Sequence, residues 1–300
     1  MKVEITEELK EFLEKEGYDI FEYARGCFDL AAKREKLLLI KVLGNVDSFN
    51  GGQARDLKVL AESLSASVVI TGERTRRENL KEGVVYERFG IPVLHPETLK
   101  NAVKGNYPTK FRSRGGTFGK IDPERLKELR KRKKLTQEEL AEKLGVSQKN
   151  ISKHEKNSKR AQYSMIKLGE KVLGEEIKER IDPLDLEMDG LVEENRKPAF
   201  KGLGKYMKRR GFKIRYTRRA PPQMLAEKEI TVLSRFDSDE KRLKRRSEEL
   251  KKFSNISESP AFVVAKEEIE SEVPVLLKDE LDRLKSADEL LKIIEEREKS

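Results

Sequence analysis

Near the N-terminus, residues of the types that hydrolyse phosphodiesters lie close together. Asp29 closes "CFD", Glu35 sits in the polar turn "KREK" (33–36), and Lys41 lies inside the very apolar "LLLIKVL" (37–43). Metal-dependent hydrolysis of this kind uses two carboxylates to hold a hard divalent cation and a lysine to position or activate water. Asp29 is the candidate first carboxylate and Lys41 the candidate lysine. The second carboxylate belongs two residues before the lysine, and that position is Leu39. A hydrophobe cannot ligate magnesium, and Glu35, off the strand, is a poor substitute. Lys41 is therefore expected to lay its stem along an apolar face and pair its ammonium with Asp29 or Asp47. No catalytic residue, metal ligand or cofactor is expected.

This order of aspartate, polar turn and strand-borne lysine resembles the PD-(D/E)xK nucleases, the fold of restriction enzymes and Holliday-junction resolvases. The resemblance implies an α/β unit over residues 1–108, and Leu39 implies one that does not cut. Its expected elements are a helix at "ITEELKEFLEKEG", strands at "YDIFEYARG", "CFDLAA" and "LLLIKVL", a helix at "ARDLKVLAESLS", and strands at "SVVITGE" and "GIPVL". The same order returns in residues 196–300: "RGFKIRYTRRAPPQMLAEKEITVLSRF", then "KRRSEELKKFSNISESPAFVVAKE", then "IESEVPVLLKDELDRL". Ordered self-similarity of this length suggests an internal duplication; the alternative is two α/β units sharing generic patterning. In the later stretch "APPQM" matches the region of Asp29 and "ITVLS" that of Lys41. The full catalytic set is absent from both copies, as in a scaffold. Beyond the second copy, Ser286 and Glu289 are placed to cap a last helix.

A chain of 300 residues suggests two or three domains. Hydrophobic content is 36% and charged content 40%, so each core is expected to be small under a charged surface. The abundance of Lys, Arg and Glu is a thermophile-like balance. Net charge is +10, and residues 109–160 alone carry a surplus of the same size, which points to a polyanionic partner there. The single cysteine, Cys27, excludes an internal disulfide and a zinc-finger framework, and is expected in a core. With His95 and His154 the only histidines, a His-rich metal site is excluded as well. No signal peptide and no bilayer-spanning stretch is visible, so a soluble, cytoplasmic protein without membrane partners is expected. "YPTKFRSRGGTFGK" reads as a basic, Gly-rich linker over 109–120. From there to about residue 180 the pattern is purely helical, until "IDPLDLEMDG" breaks it.

Residues 126–157, "LKELRKRKKLTQEELAEKLGVSQKNISKHEKN", carry the most specific signal. Leu126 and Leu129 form one apolar stripe; Leu140, Ala141 and Leu144 form a second. Thr136 is a natural N-cap with Glu139 as its capping-box partner. Gly145 ends that helix. Ser147 caps the next, whose inward positions are Ile151 and His154 or Glu155. Two short helices joined by a tight turn make a helix-turn-helix. The string resembles the Cro and cI phage-repressor class, over residues 121–181, with "SMIKLGEKVLG" as a fourth helix. The resemblance implies that the helix opening at Ser147 enters the major groove. It places Gln148, Lys149 and Lys153 at base-reading positions, with Asn150 and Ser152 nearby, and Gln137 against a phosphate. Gln bonds adenine bidentately and Lys reaches guanine O6 and N7, in keeping with those roles. Arg130, Lys131, Arg132, Lys133 and Lys134 are expected to attract the DNA backbone. His154 is expected to be a packing residue.

The fold class expected is thus a pair of degenerate, restriction-endonuclease-like α/β units flanking a central all-α helix-turn-helix. The whole arrangement resembles an archaeal group of Cro/cI-type transcriptional regulators. What that implies is a sequence-specific, non-enzymatic regulator, acting on double-stranded DNA as a homodimer. Two other readings stay open: a metal-dependent nuclease using Asp29 and Lys41, and a coactivator that bridges to the basal transcription machinery.

Overall fold

The computed structural model describes residues 2–113, 115–186, 201–237, 239–283 and 286–298. The chain divides into two compact units, one of Met1–Ile70 with Met188–Ser300 and the other of Thr71–Glu187. The expected start of a second α/β unit at residue 196, and residues 187–190 of the break at 181–190, lie outside the described residues.

The first unit opens with α1 (Lys2–Lys15), which buries Ile5, Leu9 and Leu13 at helical spacing along one stripe. Strands β1 (Asp19–Glu22), β2 (Leu30–Lys33) and β3 (Leu37–Asn45) form an antiparallel ladder, Asp19 opposite Lys33 and Leu30 opposite Ile40. Every residue of 37–43 is buried, so β3 is covered on both faces, and its apolar run, interrupted by Lys41, reflects that. Helix α2 (Gly51–Ser63) starts at a capping box, with Asn50 accepting from the Gln53 N–H and Gln53 accepting from the Asn50 N–H. Strand β4 (Ser67–Arg74) then carries the chain into the second unit.

That unit comprises β5 (Val84–Arg88), β6 (Ile91–Leu94), α3 (Pro96–Val103), β7 (Lys110–Ser113), β8 (Gly116–Ile121), α4 (Pro123–Arg132), α5 (Gln137–Leu144), α6 (Gln148–Lys156), β9 (Arg160–Gln162), α7 (Tyr163–Leu173) and β10 (Lys178–Glu179). Its strands follow the order β6-β5-β7-β8-β10, with β9 also on β8. Two expectations are corrected here. The stretch 109–120 is not a linker but the β7–β8 hairpin, held because β5 pairs in parallel with β7 (Val85 opposite Phe111). Residues 121–181 are not purely helical, because β9 pairs with β8 on the edge opposite β7 and β10 pairs with the end of β8 on its other edge. The β5–β7 pairing also joins residues 71–108 to the rest of the unit Thr71–Glu187.

The chain returns to the first unit with α8 (Lys201–Arg209), β11 (Lys213–Tyr216), β12 (Met224–Glu227), β13 (Thr231–Phe236), α9 (Glu240–Ser257), β14 (Ala261–Ala265), β15 (Val275–Leu277), α10 (Lys278–Arg283) and α11 (Ala287–Glu298). Ser286 accepts from the Glu289 N–H at the start of α11, as its sequence implies. The strand order β11-β12-β13-β14 repeats the order β1-β2-β3-β4. One constant offset relates every antiparallel pair: Lys213 faces Glu227 and Met224 faces Ser234, where Asp19 faces Lys33 and Leu30 faces Ile40.

The two segments of this unit share a core. Helix α9 packs on its own β13 and β14 and also on β1 and β2, and α2 packs on β11. Phe253 of α9 enters a ring cluster of the first segment, 5.5 Å from Phe28 and 6.1 Å from Phe21 between centroids. Cys27 is fully buried beside this cluster, its N–H bonded to the Arg219 carbonyl, and burial pushes its thiol pKa up. We predict that Phe253→Ala destabilises the first unit by ~3–5 kcal/mol, the usual cost of emptying a buried phenylalanine site. Urea unfolding of the full chain checks this; an unmoved midpoint would show that the two segments do not stabilise each other through this ring.

Candidate nucleic-acid interface

The helices of the second unit take their ends from short-range caps. Asp122 caps α4 at the Arg125 N–H, with Pro123 at the first helical position. Thr136 and Glu139 form the expected capping box of α5. Gly145, at φ +65°, closes α5 in the left-handed conformation that glycine adopts cheaply. Ser147 then accepts from the Asn150 N–H and opens α6. Leu126, Leu129, Leu140, Ala141, Leu144 and Ile151 meet in one core with Ala161, Ile166 and Leu173. Helix α6 is thereby held with Ile151, His154 and Glu155 inward.

A buried ion pair fixes α6 against α4. Arg130 forks onto Glu155, Nε to Oε1 at 2.5 Å and Nη2 to Oε2 at 3.0 Å, while Nη1 donates to the Leu135 carbonyl. Gln137, at the start of α5, donates to the same carboxylate at 2.7 Å. The side chains of Arg130 and Glu155 are 11% and 5% exposed, so water does little to screen them. Burial alone would raise the Glu155 pKa; hydrogen bonds from Arg130 and Gln137 outweigh it and hold the carboxyl below its ordinary value. The bond to Glu155 raises Arg130 against the opposing effect of burial. His154 is pushed down, by burial first and by Lys159 second, as suits a neutral packing residue.

The residues expected to meet DNA fall into two groups. Ser147, Gln148, Lys149 and Lys153 are exposed on α6 and its cap, and Lys133 and Lys134 are exposed at the end of α4. Asn150 and Ser152 are half-buried, and the Asn150 amide oxygen is turned inside without a hydrogen-bond partner. Arg130 is a correction: its guanidinium belongs to the Glu155 pair and the Leu135 carbonyl, not to an outward basic face. Arg132 likewise pairs with Glu175, which Arg125 also engages. Gln137 is half-buried, and its amide N–H is engaged by Glu155.

The Asp29 site has a different character. Asp29 is 1% exposed and receives Lys2 Nζ at 2.8 Å, Lys41 Nζ at 3.2 Å and the Val42 N–H at 2.8 Å. Lys41 also donates to the Gly26 carbonyl at 2.9 Å. Burial depresses the Lys41 pKa and the Asp29 charge opposes that shift. Leu39 is fully buried. A divalent cation does not fit here: the second carboxylate is missing and the first is held by two ammonium groups. Among the described residues no cluster of three His, Cys, Asp or Glu side chains is placed to hold a metal.

The later segment repeats this geometry with other side chains. Gln223 stands where Asp29 does, its N–H donating to the Ser234 carbonyl and its Oε1 accepting from the Phe236 N–H at 3.0 Å. Arg235 stands where Lys41 does, donating to the Ala220 and Pro221 carbonyls at 3.2 and 2.7 Å. The match of "ITVLS" to Lys41 is therefore one residue short. Arg235, hidden just past that string, keeps the buried cation, and burial depresses its pKa.

The Glu155 pair makes a pH prediction. A carboxyl whose folded pKa lies below its unfolded value stabilises the fold above that unfolded value and stops doing so as pH falls through the folded one. The contribution should be complete above the ordinary 4.5 and fade below it. Glu155→Gln should cost about 3 kcal/mol near neutrality, because it leaves a buried guanidinium without its counter-charge. The gap between wild type and variant should narrow as pH falls from 5 to 3 (order of the carboxylate range). Unfolding curves across that range decide it; a gap independent of pH would remove the ion pair as its source.

Comparison with known proteins agrees with both halves of this picture. Residues 2–108 match the PD-(D/E)XK superfamily domain and residues 126–179 match the helix-turn-helix family. A protein of Thermococcus gammatolerans, described as "Putative HTH-type transcriptional regulatory protein", is 36% identical over 279 residues, covering 90% of this chain and 88% of its own. Proteins of the same description from Pyrococcus furiosus and Methanothermobacter thermautotrophicus are 34% and 35% identical, over 98% of this chain and 98% and 96% of theirs. No solved structure matches. Likeness of this extent, over nearly the whole length of each partner, makes the chain a member of the archaeal family of HTH-type transcriptional regulatory proteins.

Proposed function

We propose that this chain is a sequence-specific DNA-binding transcriptional regulator of the cytoplasm, without enzymatic activity, acting as a homodimer. The observation that carries this is helix α6: Gln148, Lys149 and Lys153 are exposed on an element that a buried ion pair and an apolar core hold still. A base-reading helix must be positioned to within a fraction of an ångström, and rigid support of this kind supplies that. In this reading Gln148 and Lys149 discriminate bases, while Lys133, Lys134 and Ser147 bond phosphates. A single helix-turn-helix contacts too few base pairs to find one site in a genome. Two copies reading half-sites about 34 Å apart solve this.

The evolutionary domains in this reading are an α/β unit at 1–108, a helix-turn-helix at 121–181 and a second α/β unit from about 196. The constant register offset and the paired Asp29/Gln223 and Lys41/Arg235 positions support descent by duplication of one nuclease-like unit that has lost its chemistry. The match of residues 2–108 to the PD-(D/E)XK superfamily favours, as second reading, a metal-dependent nuclease. Leu39 and the saturated Asp29 oxygens oppose it. Incubation with linear and four-way-junction DNA in magnesium or manganese is predicted to give no cleavage. Turnover that vanishes in Asp29→Asn would replace the first reading with the second.

For recognition, sequences selected from random duplexes should be inverted repeats with half-site centres about 10 base pairs, or a multiple, apart. Gln148→Ala should cost ~1–3 kcal/mol on the preferred site and little on scrambled DNA. Lys133→Ala should weaken both equally and flatten the salt dependence by about one unit per contact. Equal losses on both duplexes for Gln148→Ala would mean that α6 is not the reader, and would shift the case toward a coactivator contacting the transcription machinery.

A further inference from the structure

Helices α1 and α8 hold equivalent places in the two segments of the first unit, with opposite charge. The offset that matches Asp19 to Lys213 matches Leu9 and Leu13 to Leu203 and Met207, and all four are buried. It also matches Gly17 to Gly211, in the turns that follow the two helices, at φ +81° and +87°. Four further positions keep their spacing and reverse their sign. Glu7, Glu11, Glu14 and Glu16 correspond to Lys201, Lys205, Lys208 and Arg210. Residues 196–226 hold eleven Lys and Arg and no Asp or Glu.

Local causes explain only part of this reversal. Lys213 faces Glu227 where Asp19 faces Lys33, a ladder pair with both signs exchanged, so its charge is met within the sheet. Arg210 is laid over the Tyr206 ring, 3.3 Å from its centroid. The helix dipole favours Lys208 and Arg209 in the last turn of α8, yet α1 forms with Glu14 beside Lys15 at the same places, and the dipole fades before Lys205. Lys205, Lys208 and Arg209 are exposed on the side of α8 turned away from Leu203 and Met207. No carboxylate among the described residues pairs with any of the three. Like charges three and four residues apart on one helix face repel each other. A phosphate backbone along that face turns the repulsion into attraction and releases its own counterions. A bilayer fits less well, because the apolar side of α8 lies in the core and leaves nothing to insert.

We propose that α8 is a second, sequence-independent contact of this chain with the phosphate backbone of duplex DNA, made by Lys205 and Lys208 with Arg209 beside them. This contact rests on the DNA-binding reading above and gives the first unit a part in it. Backbone contacts raise affinity for any sequence and leave discrimination to the base-reading helix.

The test uses the full chain with its selected duplex and a scrambled duplex of equal length, both with long flanks, titrated between about 50 and 200 mM salt. Lys205→Glu combined with Lys208→Glu restores the charges that α1 carries on a helix of the same pattern, and its urea midpoint shows whether it folds. Should it unfold, Lys205→Gln with Lys208→Gln is read in its place. The variant should bind both duplexes more weakly and keep the preference between them. Its loss of affinity across that salt range should be about tenfold smaller than that of the wild type, three- to fourfold for each of two contacts. Lys241→Glu with Lys266→Glu makes the same change of charge at exposed positions elsewhere in the unit and should leave the salt slope near that of the wild type. An equal fall in slope for both pairs overturns the contact, since net charge alone would then explain it. A wild-type slope in the α8 variant also overturns it; lost self-association in sedimentation would then assign α8 to the acidic α1 of a second copy. A wild-type chain that binds both duplexes equally, and loses both through the α8 variant, keeps the contact and sinks the recognition reading. A wild-type chain that binds neither overturns the two together.

Discussion

Within the second unit, everything proposed for DNA depends on one buried charge pair. Arg130 and Glu155 lie on helices joined by two turns and a third helix, and Gln137 on that third helix closes the triangle. A buried ion pair is weak grounds for stability, because desolvation offsets most of the Coulomb gain. Its contribution here is geometric. A fork of two hydrogen bonds fixes both the distance and the rotation of α6 about its axis. That rotation decides which of Gln148, Lys149, Asn150 and Lys153 point outward.

The first unit shows a similar economy of geometry over chemistry. At two places related by one register offset, a short loop is clamped between a side-chain oxygen and a buried cation. In one place the oxygen belongs to a carboxylate, in the other to an amide, yet both accept the same strand N–H. Lysine and arginine both satisfy loop carbonyls. An aspartate–lysine pair of this kind serves as a loop clamp, because its hydrogen bonds hold the backbone.

The parts of this structure that were legible in the sequence are those set by neighbours three or four residues apart. Thr136 with Glu139, Gly145, and Ser147 announce helix ends because caps are local, and Leu126, Leu129, Leu140 and Leu144 announce a core through helical spacing. The Arg130–Glu155 pair was not legible: an arginine within a run of five basic residues looks like surface until its partner, two turns and a helix later, is in place. The hairpin was missed because strands as short as β7 and β8 owe their stability to β5 and β9 rather than to their own Gly-rich composition. Arg235 was missed by a single residue, since a strand buried on both faces has no alternation by which to align it, and the ladder pairing supplies the register.

Chain connectivity has a consequence for synthesis. Residues 71–187 are inserted into the sequence of the first unit, so Phe28 leaves the ribosome long before Phe253, the ring that stacks on it. At about 5–20 residues per second the wait is roughly 10–45 s. Over its last part, once residue 187 has been added, the helix-turn-helix unit has its whole sequence available and can fold, while the N-terminal strands still lack the Phe253 ring that packs on Phe21 and Phe28. The newborn regulator is thus competent in the half that carries its recognition helix before the half that stabilises its termini exists, and its exposed aromatic strands are natural clients for a chaperone.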